Sequence, residues 1–163
     1  MKRTIRFLAI ILTSILVNSC AVLKPPVITK NYSIGEFKYV FIPATSNLTS
    51  GTGATYGGHY YSSSKTVNPS DVISGILMKE GFISLPEIKQ ELADKTLIVN
   101  YGESGRRYIA GGLGGYTIEV TIKFISAKTY ETICSCTAEG QGSTEADDIR
   151  QAITRCLSGL LSK

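Results

Sequence analysis

The chain has 163 residues, of which 43% are hydrophobic and 18% charged, and its formal net charge is +4. This balance excludes a disordered chain, which combines few hydrophobic residues with a high charge density. It also excludes a multi-pass membrane protein, because only one apolar run stays free of charges for long, and that run lies at the N-terminus. The length favours a single domain.

The N-terminus has the proportions of a secretory signal peptide. Lys2, Arg3 and Arg6 provide the basic segment, and an apolar stretch over 7–17 follows. A transmembrane helix needs about 20 apolar residues, so this stretch is too short to span a bilayer. The three basic residues leave with the signal peptide, so the mature chain is close to neutral and its composition does not favour an anionic partner.

Val17-Asn18-Ser19-Cys20 resembles the lipobox of bacterial lipoproteins, in which cleavage before the cysteine frees it for acylation. The alternative is an ordinary signal peptide followed by an incidental cysteine. We predict a signal peptide over 1–19, a lipidated Cys20 with a tether over 20–36, and one domain over 37–163. No Asp stands immediately after Cys20, which, by resemblance to enterobacterial sorting, indicates an outer-membrane location and leaves the face of that membrane open.

The first elements of the mature chain differ sharply in composition. β-Branched and aromatic residues over 37–42 predict a strand, whereas Ser, Thr and Gly dominate 45–68 and predict a long loop, with or without a small hairpin at 56–60. Asn68 followed by Pro69 is typical of a helix start. Further elements are predicted at 82–85 (strand), 86–92 (one or two helical turns), 96–101, 116–125 and 131–138 (strands), and from Thr144 onwards (helix).

The strand 116–125 has the clearest pattern. Ile118, Val120, Ile122 and Phe124 alternate with polar residues, which predicts one buried and one solvent-facing side. The closing helix carries an apolar stripe that must lie against a sheet. Together the elements predict an α+β fold with a single mixed or antiparallel sheet of about five strands and two main helices packed on one face.

Three segments follow one another in a characteristic order: Phe37-Lys38-Tyr39-Val40-Phe41, Leu97-Ile98-Val99-Asn100-Tyr101, and a hairpin that turns at Ser126-Ala127-Lys128-Thr129 and ends near Ala138-Glu139-Gly140. This order resembles a family of small bacterial envelope lipoproteins classed as a domain of unknown function. Cys134 and Ser126 stand where that family usually has Trp and Asp. The layout is also similar, more distantly, to α/β envelope lipoproteins that activate peptidoglycan synthases or build secretion channels.

Few residues in the sequence could support catalysis or bind a metal ion. His59 is the only histidine, so a Ser-His-Asp triad or a histidine-based zinc site would depend on it. It has no neighbouring acid and is expected to be an exposed loop residue. Dinucleotide-binding and nucleophile-elbow spacings do not occur. We therefore predict a non-enzymatic protein with no catalytic residue, no metal and no cofactor.

Three cysteines remain after acylation of Cys20. Cys134 and Cys136 share one face of a predicted strand, and Cys156 lies on the apolar stripe of the closing helix. One interpretation, which we favour, is that all three are small buried hydrophobic side chains. The other is a disulfide between Cys156 and one strand cysteine, which the envelope permits and which leaves an odd thiol.

Two aromatic groups are the best candidates for binding, since Tyr and Arg are enriched at interface hot spots. The first comprises Tyr56, His59, Tyr60 and Tyr61 in the 45–68 loop, and the second comprises Arg106, Arg107 and Tyr108 in a predicted 103–115 loop. The alternative, which we favour, is that these are solvated loop residues.

The function expected from these features is that of a lipid-anchored envelope protein with a non-enzymatic accessory or scaffold role. The alternatives are a ligand- or glycan-binding module that uses the two loops, an activator of an envelope enzyme or component of a secretion complex, and a hydrolase with an unconventional site. The expected partners are the membrane, through the lipid, and another envelope protein or a glycan, and not nucleic acid.

Overall fold

The computed structural model describes residues 22–109 and 115–162, so the predicted lipidation site Cys20 lies outside the described residues. In chain order the elements are β1 (Val27–Lys30), β2 (Tyr39–Phe41), β3 (Leu48–Tyr56), β4 (His59–Val67), α1 (Pro69–Lys79), β5 (Ile83–Leu85), a 3₁₀ helix (Gln90–Lys95), β6 (Thr96–Tyr108), β7 (Tyr116–Ser126), β8 (Thr132–Gly140) and α2 (Glu145–Leu161).

The main sheet has six strands in the order β1-β8-β7-β6-β2-β5, and β3 and β4 form a separate two-stranded sheet. β2 runs parallel to both β5 and β6, and the remaining pairs of the main sheet are antiparallel. The predicted α+β class is confirmed. The predicted count of about five strands is one too low for this sheet, because β1 lies in a segment without an alternating pattern and was not predicted.

The main sheet begins inside the segment predicted to be a tether. β1 pairs with β8 so that Val27 lies opposite Thr137 and Lys30 lies opposite Cys134. All four residues of β1 are exposed, so no alternation of apolar and polar residues marks this strand in the sequence. The chain therefore joins the sheet before residue 37, where the domain was predicted to start.

Residues 45–68 form a long hairpin rather than a loop. β3 and β4 pair along their whole length, from Leu48 opposite Val67 to Tyr56 opposite His59. Gly57 and Gly58 make the turn with φ angles of +59° and +80°, and positive φ at both positions is what a type I′ turn requires. The predicted turn position is confirmed, but the strands are much longer than expected because the Ser and Gly residues along them give no strand signal.

The second predicted loop is also largely a strand. β6 continues to Tyr108, which lies opposite Tyr116 of β7, and a bulge separates Glu103 from Gly105. The prediction of a loop over 103–115 is therefore wrong for 103–108. Glycines within the strand removed the alternating pattern, and pairing with β7 supplies the hydrogen bonds that the local sequence does not indicate.

The helices begin where the sequence predicts. The Asn68 side chain accepts a hydrogen bond from the Ser70 backbone N–H at 3.1 Å, and the Thr144 hydroxyl accepts one from the Asp147 backbone N–H at 3.3 Å. Each bond satisfies one of the backbone donors that a helix start leaves unpaired. Gly81 follows α1 with a φ angle of +93°, as expected for a residue that ends a helix.

The core lies between one face of the sheet and the two helices. Ile118, Val120 and Ile122 of β7 are completely buried, whereas Lys123 between such positions is exposed. α2 lies against β7 and β8 and also contacts α1. The opposite face of the sheet is polar, so the fold is a two-layer arrangement that leaves side chains at the ends of the strands free to form sites.

Candidate functional site at the anchor end of the sheet

A buried carboxylate near the end of β8 is the centre of the first group of contacts. Glu139 is 3% exposed. Arg107 of β6 donates from Nε to Glu139 Oε1 at 2.8 Å and from Nη2 to Glu139 Oε2 at 2.6 Å. The Lys24 backbone N–H donates to the same Oε2 at 2.9 Å. The bidentate ion pair therefore fastens the N-terminal segment to the sheet as well as joining β6 to β8.

Arg155 of α2 completes this group. It donates from Nη2 to the Lys24 carbonyl at 2.7 Å and from Nη1 to the Glu139 carbonyl. Arg107 Nη2 also lies 3.4 Å from the Val22 carbonyl. We call Val22, Lys24, Arg107, Glu139 and Arg155 the anchor clamp, because they fix the first described residues after Cys20 to three elements of the domain.

The clamp changes the acidity of its carboxylate. The hydrogen bonds from Arg107 lower the pKa of Glu139 from 4.5 to about 2, and the Lys24 backbone N–H and the two positive charges act in the same direction against burial. A carboxyl whose pKa falls on folding stabilises the folded state above its ordinary pKa. This contribution is lost as the pH falls from about 4.5 towards 2.

Glu139→Gln is expected to lower the free energy of unfolding at pH 7 by about 2 kcal/mol, because it removes the charge that Arg107 and Lys24 bind. The difference from the wild type should shrink as the pH is lowered from 4.5 towards 2, and urea unfolding at several pH values measures it. Glu145→Gln is the control, since the pair of Glu145 with Arg106 is partly exposed to solvent and such pairs contribute less than about 1 kcal/mol. Equal, pH-independent losses in both variants would contradict the role of the clamp.

The second group lies on the helix-covered side of the same strand end. Arg106 donates to Glu145 Oε1 at 2.5 Å, and its guanidinium lies 5.0 Å from the ring centroid of Tyr116. Tyr108 packs edge-on against Tyr116 with ring centroids 6.3 Å apart and remains 69% exposed. The predicted Arg106, Arg107 and Tyr108 group is thus divided: Arg107 belongs to the anchor clamp, and the other two flank Tyr116.

The hairpin carries the other predicted binding residues. His59, Tyr60 and Tyr61 are exposed, and the side chain of Tyr56 lies outside the part of the chain that the structure describes. The Tyr60 ring covers the backbone at Gly53, where an added Cβ would meet it. His59, Tyr60 and Tyr61 are therefore exposed, as the favoured interpretation predicts, but they lie on the strand β4 and not in a loop.

The base of the hairpin is bound to the start of α2. Ser50 Oγ accepts a hydrogen bond from the Ala146 backbone N–H at 2.9 Å, and the Lys65 ammonium lies 2.8 Å from Asp147 Oδ2. The base of the hairpin therefore lies against the first turn of α2, whereas the predicted binding residues lie at the other end of the hairpin, beside its turn. A groove of about 500 Å³ lies between the hairpin base, the start of β7 and α2, lined by Thr49, Ser50, Gly51, Gly115, Tyr116, Gln141, Gly142, Ser143, Thr144, Glu145 and Asp148.

Two of the three cysteines form a disulfide, which was the less favoured of the two interpretations. Cys136 of β8 and Cys156 of α2 form a disulfide, with Cα atoms 5.6 Å apart. Cys134 is a buried free cysteine, and burial raises the pKa of its thiol to about 11, so it stays protonated at neutral pH. The prediction of three unbridged side chains is wrong for Cys136 and Cys156, because α2 packs directly on the face of β8 that carries them.

Sequence reasoning missed Glu139, Glu145 and Arg155 as functional residues. Their partners lie between 16 and 131 residues away in the chain, and the sheet order and the packing of α2 on the sheet bring them together. Within residues 22–109 and 115–162, no three His, Cys, Asp or Glu side chains converge as a metal site would require. In the same residues neither α1 nor α2 is long and apolar enough to cross a bilayer.

No protein-family model and no curated protein matches the sequence. Among solved structures, the fold is similar to a PelC dodecamer from Paraburkholderia phytofirmans, with 18% identity and a TM-score of 0.53 over 87% of this chain and 100% of that one. A PDZ domain protein from Parabacteroides distasonis also matches, with 12% identity and a TM-score of 0.47 over 87% of this chain and 36% of that one. The PelC match shows a shared fold.

Proposed function

We propose that the protein is a lipid-anchored cell-envelope lipoprotein with a non-enzymatic scaffold or accessory role. The observation that carries this proposal is the anchor clamp. Cys20 precedes Val22 by two residues, which span at most about 7 Å when fully extended. The clamp therefore leaves almost no free chain between the acylated cysteine and the domain. A domain held so close to its anchor can take only a limited range of orientations at the membrane. Such a fixed orientation is what a scaffold protein requires.

The chemistry of the surface supports a scaffold over a ligand-binding module. The two arginines proposed for ligand recognition both serve intramolecular ion pairs, Arg107 with Glu139 and Arg106 with Glu145. A ligand that recruited either guanidinium would have to displace a carboxylate already bound to it. Recognition of a glycan would therefore depend on the tyrosines of the hairpin, and binding through the arginines is disfavoured.

A second candidate function is that of a subunit in a multi-copy envelope assembly, such as a secretion complex. The similar PelC structure is a dodecamer, and this chain covers all of it. The hairpin adds an independent reason, because the described part of the chain provides no third strand for either of its edges. Isolated two-stranded sheets are marginally stable, so contact with a neighbouring copy would stabilise this one.

Cys20→Ser is expected to move the protein from the membrane fraction to the soluble fraction of the envelope, because it removes the only residue to which the acyl chains would attach. Incorporation of labelled palmitate and fractionation after a high-salt wash measure the effect. Cys134→Ala is the matched control and should stay in the membrane fraction. Retention of Cys20→Ser in the washed membranes would contradict the lipid anchor.

Cross-linking of the wild-type protein in those membranes separates the two candidate functions. A ladder at multiples of the mass of this chain supports the multi-copy assembly, whereas a single heterologous adduct supports an accessory protein bound to one partner. Recovery of only uncross-linked chain at every cross-linker length would contradict both.

A further inference from the structure

We propose that the end of the sheet that carries the anchor clamp faces the phospholipid bilayer, and that Tyr108 at the tip of β6 lies at the level of the lipid headgroups. This inference rests on the proposed acylation of Cys20, and it adds the surface by which the domain contacts the lipid. The occupant of this surface is the bilayer itself, because the preceding chain, including the cysteine to be acylated, reaches the domain here.

The strand register places several chain segments at this one end. Tyr108, near the end of β6, lies opposite Tyr116 at the start of β7, and Ile118 lies opposite Gly140 at the end of β8. The buried Glu139 of the clamp is the neighbour of Gly140. Acyl chains attached within about 7 Å of Val22 would therefore enter the bilayer beside the tip formed by β6 and β7.

The side chains at this tip suit a membrane interface. Tyr108 and Tyr116 combine an apolar ring with a polar hydroxyl, and tyrosines of this kind are enriched at the headgroup level. Arg106 lies over the Tyr116 ring, and arginines place an apolar stem on such surfaces while the charge stays in the polar layer. The 69% exposure of Tyr108 leaves most of its ring free to be covered by lipid.

The opposite end of β7 provides an internal comparison. Tyr130 lies in the turn between β7 and β8 and is 73% exposed, slightly more than Tyr108. β7 runs from Tyr116 to Ser126 between the two ends, which corresponds to about 33 Å of strand. This distance exceeds the depth of the headgroup layer, so the bilayer can cover one of these tyrosines and not the other.

The absence of tryptophan from the chain allows a direct test. Acylated full-length mature protein carrying either Tyr108→Trp or Tyr130→Trp is bound to vesicles of phosphatidylethanolamine and phosphatidylglycerol that contain brominated lipid. For Tyr108→Trp we expect the emission to shift to shorter wavelength and the brominated lipid to quench it. For Tyr130→Trp we expect the same emission with vesicles as without them. Equal quenching of the two, or stronger quenching of Tyr130→Trp, would overturn the orientation.

Two further measurements separate this inference from its premise. Co-sedimentation with vesicles reports the lipid anchor, so failure to co-sediment would overturn the proposed function and the orientation with it. Protein that co-sediments but shows the wrong quenching pattern would overturn the orientation alone. Hydrogen exchange of the unsubstituted protein covers the case in which a variant does not fold. Vesicle binding should slow exchange at residues 106–109 and not at 127–131, and the reverse pattern would contradict the proposal.

Discussion

Loss of the disulfide between Cys136 and Cys156 is expected to lower the free energy of unfolding by roughly 3 kcal/mol. The two cysteines are 20 residues apart in the chain, so their bond closes a loop of intermediate length. Closing such a loop restricts the unfolded chain, and opening it restores that conformational freedom. The bond also joins β8 to α2, the helix that covers the core, so its loss favours early detachment of that helix.

Urea unfolding of a Cys136→Ala, Cys156→Ala double variant measures this effect. Cys134→Ala is the matched control, because Cys134 lies on the same strand face and is equally buried but unbridged, and it should cost about 1 kcal/mol. Reductant should destabilise the wild type and leave the double variant unchanged. Equal losses in the double variant and the control, together with no effect of reductant, would show that the bond contributes nothing to stability.

Gly140→Ala is expected to destabilise the protein by about 3 kcal/mol, at the upper end of the usual cost of overpacking. A Cβ at Gly140 would lie 2.7 Å from the Ala152 backbone nitrogen and would also clash with the Asp148 carbonyl oxygen. Both atoms belong to the backbone of α2, so no side-chain rotation can relieve the contact. The helix would have to move away from β8 and would strain the disulfide and the Arg155 contacts that join the two.

Gly102→Ala provides the comparison for this substitution. Gly102 also lies in a strand, its φ is not positive, and a Cβ there meets nothing within 4 Å. Its substitution should change stability by less than about 1 kcal/mol in either direction. Thermal unfolding of the two variants, at matched pH and without reductant, tests the prediction. Similar unfolding temperatures for both would indicate that α2 does not pack on β8 as closely as the structure has it.

The features predicted correctly from the sequence are those determined by neighbouring residues. Asn68 and Thr144 bind backbone donors two and three residues ahead, so their types are sufficient to indicate a helix start. The same holds for β7, where the alternation around Val120 reports burial on one face. The turn at Gly57-Gly58 was likewise predictable, because positive φ at both positions selects glycine.

The features that were missed depend on residues distant in the chain. β1 is a strand only because it pairs with β8 at the edge of the sheet. The hairpin consists largely of polar residues, and its local sequence does not indicate that they pair. The anchor clamp joins Lys24 and Arg107 to Glu139 across 115 and 32 residues. The disulfide required knowing that α2 lies on one particular face of β8. For β1 and the clamp the missing information was the order of the strands, and for the disulfide it was the packing of α2.

The pairing of β1 has a mechanical consequence. In a chain attached to a bilayer by an acylated Cys20, a pull on the lipid enters at Val22, acts first on the anchor clamp and then passes along β1. β1 lies side by side with β8 over four register positions, so such a force acts in shear on all of its hydrogen bonds together. Bonds stressed together resist far more than bonds opened in succession. A pull on the lipid would therefore move the whole domain and would not peel β1 from the sheet.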